Sequence, residues 1–258
     1  MLVFDRQAVR RHRDRAVRTV DRVSDVLGDA AGRLLDRLDD TSRRFTDALD
    51  VGGRGVVAPL LRARGLRVVS CDLSPAMAGL NGGPCVAADE ECLPFAAGSF
   101  DLIVASLSLH WVNDLPGALL QLRRSLRPDG LLLASLPALG TLAELRSALT
   151  EAESEVSGGA SPRVSPFPEL RDCAHLLQRA GFVVPVADVE EIRVLYADPL
   201  ALLADLRAAG EANAIRQRSR MVPARSVFPA ALAKLPVEAG RFAVTLRMAA
   251  MTGWAPGR

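Results

Sequence analysis

What most constrains this chain is a strand, a glycine turn and a helix in immediate succession, followed at once by a second strand. Residues 46–51 read as a strand, Gly52, Gly53 and Gly55 interrupt it, and 56–64 carry apolar residues at helical spacing up to Gly65, which suits a helix C-cap. A strand over 67–71 ends on Asp72, and Ser74-Pro75 then supplies an N-cap and a first helical residue. Strands joined by a helical crossover pair in parallel, and a parallel sheet needs helices on both faces. The rhythm continues with a short strand over 84–88 and a strand over 100–105, whose Leu102-Ile103-Val104 run suits burial on both faces. A helix follows Asn113-Asp114 to about 126, then the turn Arg127-Pro128-Asp129-Gly130 and a strand over 131–135.

Beyond it, Thr141-x-x-Glu144 reads as a capping box before a helix whose Leu142, Leu145, Ala148, Leu149 and Ala152 share one face. A Gly/Ser/Pro loop spans 157–168, a helix 168–180 stops at Gly181, and strands are expected over 182–188, 190–196 and 242–254, with a helix over 198–209. The expected fold is α/β: a doubly wound, mostly parallel seven-stranded sheet. It divides into an N-terminal helical segment over 1–44 and a sheet domain over 45–258, with a small helical insertion at about 198–240.

Composition narrows the function classes. A chain of 258 residues with 49% hydrophobic and 24% charged side chains is neither disordered nor collagenous. Apolar stretches such as Val56 to Leu61 are far shorter than the roughly 20 residues that cross a bilayer, so no membrane span is expected. All the basic residues except Lys234 are arginines, and 32 bases against 30 acids give no basic excess for nucleic acid. Cys71, Cys85, Cys92 and Cys173 form no C-x-x-C and read as reduced, mostly buried thiols, which points to a cytoplasmic protein. His12, His110 and His175 are too scattered for a metal set. Residues 1–18 hold six Arg and two Asp without an apolar signal core, and are expected to fold with the rest. This basic helix either covers a pocket or docks an acidic partner, or is simply a solvated face, the plainer reading.

Small molecules bind doubly wound sheets beyond the carboxyl ends of the strands, at the switch point. The candidates there are the loop Asp50-Val51-Gly52-Gly53-Arg54-Gly55, then Asp72, then Asp89, and Ser106 to Asn113. Gly52-Gly53-Arg54-Gly55-Val56-Val57 lacks the third glycine of a dinucleotide fingerprint, which disfavours NAD. S-adenosylmethionine has a charged amino-acid tail, a ribose and an adenine but no pyrophosphate. Asp50 suits its amino group, Asp72 its ribose hydroxyls and Asp89 its adenine amine. Gly52, Gly53 and Gly55, with Leu73, Glu90 and Ser106 beside the strand tips, complete the expected cofactor-binding set. His110 and Trp111 are the candidate catalytic pair on the substrate side, a proton acceptor and a flat apolar wall.

Phe4-Asp5-Arg6, Ala48-Leu49-Asp50-Val51-Gly52, Asp89-Glu90-Glu91-Cys92-Leu93-Pro94-Phe95 and Ser106-Leu107-Ser108-Leu109-His110-Trp111-Val112-Asn113-Asp114-Leu115-Pro116 carry a resemblance. With them the chain resembles the class I S-adenosylmethionine-dependent methyltransferases. Within these it is similar to the mitochondrial complex I assembly factors that act as protein arginine hydroxylases, and to their alphaproteobacterial relatives. Thr141-Leu142-x-Glu144-Leu145-Arg146, Ser165-Pro166-Phe167 and Gly253-Trp254 extend the likeness almost end to end. The resemblance implies a Rossmann-like fold, S-adenosylmethionine as cofactor, and a protein substrate, with an arginine of a respiratory complex I subunit as the modified residue. A carrier-protein thioester methyltransferase is a more distant relative, and a non-catalytic assembly chaperone retaining the fold is the competing reading. Two departures stand out: the family pattern acid-x-G-x-G-x-G is one residue shorter here, and Ala138-Leu139-Gly140 replaces a Gly-Gly-Asp.

Overall fold

A computed structural model describes residues 2–257. Helices α1 (Arg6–Ala16) and α2 (Ser24–Leu35) lead into β1 (Asp47–Val51), α3 (Val57–Ala63), β2 (Arg67–Asp72), α4 (Pro75–Gly79), β3 (Cys85–Ala87), β4 (Phe100–Ser106), α5 (Leu115–Ser125) and β5 (Leu126–Pro137). The remainder comprises α6 (Ala143–Ser157), α7 (Leu170–Arg179), β6 (Val183–Tyr196), α8 (Pro199–Ala208), α9 (Val227–Ala233), β7 (Val237–Glu238) and β8 (Arg241–Trp254). The sheet runs β3-β2-β1-β4-β5-β8-β6, with β7 attached to β8. Strands β1 to β5 are parallel, and β8 lies antiparallel to both β5 and β6. The two-residue β7 brings the described strands to eight. The chain winds outward from β1 through β2 to β3 and returns to β4 beside β1, which sets the switch point between β1 and β4.

Alternation along the central strands explains the two layers. Leu49, Val51, Ile103 and Ala105 pack with Leu119 and Leu122 of α5 and Leu177 of α7, whereas Ala48, Leu102 and Val104 pack with Leu34 of α2 and Leu61 of α3. A third cluster joins α6, α8 and α9 to β8 through Leu145, Leu149, Leu202, Leu232 and Val244, and builds a wall beside the sheet.

Several local expectations are corrected. The strands expected over 182–188 and 190–196 are one continuous strand, paired with β8 without a break from Val186 to Tyr196, and Arg37 binds Asp188 at 2.7 Å and Arg33 binds Glu190 from the α2 side. The capping box does not form. Glu144 instead accepts from Thr245 Oγ1 at 2.5 Å and Arg193 at 2.6 Å, and Thr141 Oγ1 donates to the Arg247 carbonyl at 2.8 Å. The turn at 127–130 survives as a shift of register inside β5, between the pairs Phe100–Leu126 and Leu102–Leu131. All four cysteines are free, but Cys85 and Cys92 are exposed, Cys85 because β3 is an edge strand. Among the described residues no helix is long and apolar enough to cross a membrane, and no cluster of metal-ligating side chains occurs.

The basic helix is not a solvated face. Ala8, Val9, Arg13 and Ala16 of α1 are buried, and its start is strapped to the loop after β4. Asn113 Oδ1 accepts from the Val3 and Phe4 N–H groups at 2.8 Å each, and Phe4 bridges to Ile215. Asp5 caps α1 by accepting from the Ala8 N–H at 3.0 Å. Asn113→Ala is expected to cost roughly 1–3 kcal/mol by leaving these groups unmet. Thermal unfolding and limited proteolysis near residue 6 check this: the midpoint should fall by about 2–4 °C per kcal/mol, and an unchanged midpoint and cleavage rate would contradict the strap.

Candidate active site

At the carboxyl ends of β1, β2 and β4, the switch point gathers buried acids. Asp50 is wholly buried; its Oδ2 accepts from Ser70 Oγ at 3.3 Å, while Oδ1 has no well-formed hydrogen bond. Burial pushes this carboxyl up to about 7, against the Ser70 hydrogen bond and with help from the neighbouring Asp72 charge. The chain then turns at Gly52, with φ +67, whose N–H donates to the Cys71 carbonyl at 2.7 Å. A Cβ at Gly52 would lie 2.6 Å from Ser108 Cβ, and one at Gly53 would run into the Asp50 carboxylate. Gly55 donates to Asn81 Oδ1 at 3.0 Å. The shortened loop thus sits hard against both Asp50 and the segment after β4.

Asp72 ends β2 with both carboxylate oxygens engaged, Oδ1 by the Ser74 N–H and Oδ2 by Arg13 Nη1, each at 2.8 Å. Arg13 reaches this point from α1 and is 1% exposed, so it lies in the crevice itself, 3.0 Å from where a Gly52 Cβ would stand. Burial works against its charge, but Asp72 and Glu90 more than offset this and hold it protonated. Of the expected acidic pair, Asp89 is the outer member: Arg6 Nη2 binds it at 2.6 Å and the Glu91 N–H at 2.9 Å. Glu90 is buried, pairs with Arg6 through Oε2, and its Oε1 makes no hydrogen bond but lies 3.6 Å from Arg13 Nη1. Leu73 packs with Phe4, Val9 and Trp111. Ser106 faces Ser135 on β5, its Oγ 3.5 Å from Ser135 Oγ, and the serine that meets the glycine loop is Ser108.

His110 and Trp111 lie in a 3-10 turn after β4 and border a cavity of about 310 Å³. Its walls are apolar, including Leu27, Leu107, Leu142, Phe167 and Leu206. One end is charged. Glu211 Oε2 receives His110 Nε2 at 2.7 Å and Trp111 Nε1 at 2.6 Å, and Oε1 pairs with Arg54 from the glycine loop. Burial raises the Glu211 carboxyl, but His110, Arg54 and Arg13 outweigh it and hold the group well below the usual carboxylate range. The sequence reading did not single out Arg13, Arg54 or Glu211. For Arg13 a signal existed, because Val9, Arg13 and Ala16 fall at i, i+4 and i+7, on the buried stripe of α1. Glu211 follows α8 in irregular chain and carries no such signal.

Comparison with known proteins gives the site a lineage. A family described as "Methyltransferase domain" matches residues 11–185. The chain belongs to the S-adenosylmethionine-dependent methyltransferase family. A zebrafish (Danio rerio) protein named Arginine-hydroxylase NDUFAF5, mitochondrial, is 37% identical, over 99% of this chain and 84% of its own length. A Malonyl-[acyl-carrier protein] O-methyltransferase of Methylovorus sp. is 34% identical over 86% of this chain and 79% of its own length. Among solved structures, the YcgJ protein from Bacillus subtilis shares the fold with a TM-score of 0.60 at 12% identity, over 89% of this chain and 99% of that one.

S-adenosylmethionine is the cofactor of this methyltransferase family, and the crevice fits it chemically. Asp50 Oδ1, Glu90 Oε1, Ser108 Oγ and Arg13 Nη2, from the residues around the crevice, are all buried without a hydrogen bond among the described residues. Buried polar atoms are rarely left so unless a ligand meets them. If the Arg13–Asp72 pair is the electrostatic joint of this crevice, Asp72→Ala strands a buried guanidinium and costs roughly 3–5 kcal/mol. The double variant with Arg13→Met should recover much of that loss in chemical denaturation, and strictly additive losses would contradict the joint.

Proposed function

We propose that this methyltransferase-family enzyme modifies an arginine side chain of a partner protein, a respiratory complex I subunit during assembly. The observation that carries this reading is the partly buried Glu211 carboxylate at the charged end of an apolar cavity, adjoining the acid-lined crevice through Arg54. A guanidinium on an aliphatic stem matches a carboxylate at the end of an apolar wall. The relatives named arginine hydroxylases support the same substrate. A malonyl carboxylate would need a free cation; of the three arginines lining the cavity, Arg54 is paired with Glu211 and Arg163 with Glu153, and the exposed Arg207 alone makes no ion pair among the described residues.

When bound, S-adenosylmethionine supplies an electrophilic methyl group on a sulfonium centre. In this reading Asp72 takes the ribose hydroxyls, Asp50 the ammonium, and Asp89 with Glu90 closes the adenine side, Glu90 offering Oε1. Gly52, Gly53 and Gly55 keep the loop clear of side chains, and Leu73 supports the edge of the crevice. His110 and Trp111 orient Glu211 at the substrate side, and His110 Nδ1 is buried without a hydrogen-bond partner among the described residues. The Arg13 guanidinium on Asp72 favours a second reading, a non-catalytic assembly chaperone whose crevice stays closed.

Titration calorimetry with S-adenosylhomocysteine separates the two: binding supports the enzyme, and absence of heat across temperatures supports the chaperone. A carboxyl raised from 3.8 to about 7 adds stability at low pH that is lost as pH rises through about 7. A cationic ligand reverses that shift, so binding at pH 7 should release about half a proton, read from buffers of different ionisation enthalpy. Asp50→Asn should abolish this release, weaken binding and make the ligand-free protein more stable above pH 7. Mass spectrometry of complex I subunits from a strain lacking this chain decides the substrate. Loss of a methyl or hydroxyl increment on an arginine is expected, and unchanged arginines would overturn the reading.

A further inference from the structure

We infer that Glu211 is the residue that selects a guanidinium, and that Arg54 of the glycine loop occupies the substrate's place as a stand-in. This rests on the arginine-modifying reading above and assigns its specificity to one carboxylate. His110 Nε2 and Trp111 Nε1 both bind Glu211 Oε2, which anchors that oxygen and leaves Oε1 for another partner in a residue that lines the cavity. That oxygen meets a guanidinium, Arg54 Nη2, and a second cation, Arg13, adds to the field around it. The site therefore already shows which chemistry it accepts.

Arg54 is a poorly satisfied occupant. It is 3% exposed, its Nε has no partner among the described residues, and burial lowers its pKa despite Glu211. Its backbone sits at φ +50, in the left-handed region, in a loop one residue shorter than the family pattern. A buried guanidinium held by a single ion pair regains its hydration when a second guanidinium takes over its carboxylate, which makes it displaceable. The walls suit its replacement: Leu27, Leu107, Leu142 and Leu206 offer apolar surface for a three-carbon stem, and Phe167 a ring face. Since Arg54 belongs to the loop between Gly53 and Gly55, movement of the cofactor loop and release of Glu211 are one event.

Chemical complementation tests this without any activity measurement. In Arg54→Ala, ethylguanidinium at millimolar concentration should raise the unfolding temperature saturably and change Trp111 fluorescence. Its apparent affinity should exceed that of N-ethylurea, the neutral isostere, by about tenfold or more. The saturable effect should vanish in Arg54→Ala/Glu211→Gln. Rescue that fails in the single variant, that N-ethylurea matches, or that persists without Glu211 overturns the assignment. If Arg54→Ala does not fold, Arg54→Met keeps the stem and carries the same titration. Failure of Arg54→Met to fold as well would overturn the stand-in role, because a displaceable group is not essential. The two readings fail separately: an arginine mark without rescue removes only Glu211's role, whereas rescue without a mark removes the substrate and leaves a guanidinium site.

Discussion

Three carboxyl groups meet at the ends of β1, β2 and the loop after β3 with almost no water around them, and the rest of the structure depends on how their charge is met. A buried carboxylate without a partner neutralises itself by raising its pKa, and Asp50 does this. Asp72 and Glu90 are met by arginines from α1, Asp72 by Arg13 and Glu90 chiefly by Arg6. The N-terminal helix is therefore the counter-charge of the crevice as well as its cover. The two roles share residues, because Arg6 also donates to the Trp111 carbonyl at 3.1 Å and Phe4 packs edge-on against the Trp111 ring at 5.2 Å.

This ties together motifs that look independent in sequence. Phe4-Asp5-Arg6, Asp89-Glu90-Glu91 and His110-Trp111-Val112-Asn113 are far apart along the chain, yet Asn113 binds the Phe4 backbone and Glu91 Oε1 accepts from the Asn113 N–H at 2.6 Å. A change in any one of the three segments reaches the other two through hydrogen bonds. The cofactor crevice and the cavity are joined in the same way, through Arg54.

The parallel half of the fold was legible because each element carries its own local signal: Gly65 at φ +84 closes α3, and Ser74 Oγ accepts from the Met77 N–H at 3.1 Å to open α4. β4 announced itself by an unbroken apolar run. Features set by partners distant in sequence were not legible. Glu144 has the spacing of a capping residue but is taken by Thr245 and Arg193, and the continuity of β6 is set by its pairing with β8. Of the candidate site, the position of the strand-tip acids and of His110-Trp111 was legible because position at a switch point is a property of order along the chain. Glu211 was not, since only the folded backbone brings it under Trp111. Among six similar arginines in residues 1–18, charge alone does not reveal which one turns inward.

The central claim is that strand-tip carboxylates, balanced by an N-terminal helix, form a place for a sulfonium nucleoside. A crystal structure grown with S-adenosylhomocysteine tests it most directly. Nucleoside density is expected beside the glycine loop, with its ribose on Asp72 and the Arg13 guanidinium drawn off that carboxylate. An Arg13–Asp72 pair left intact, with no density beside it at saturating ligand, would contradict it.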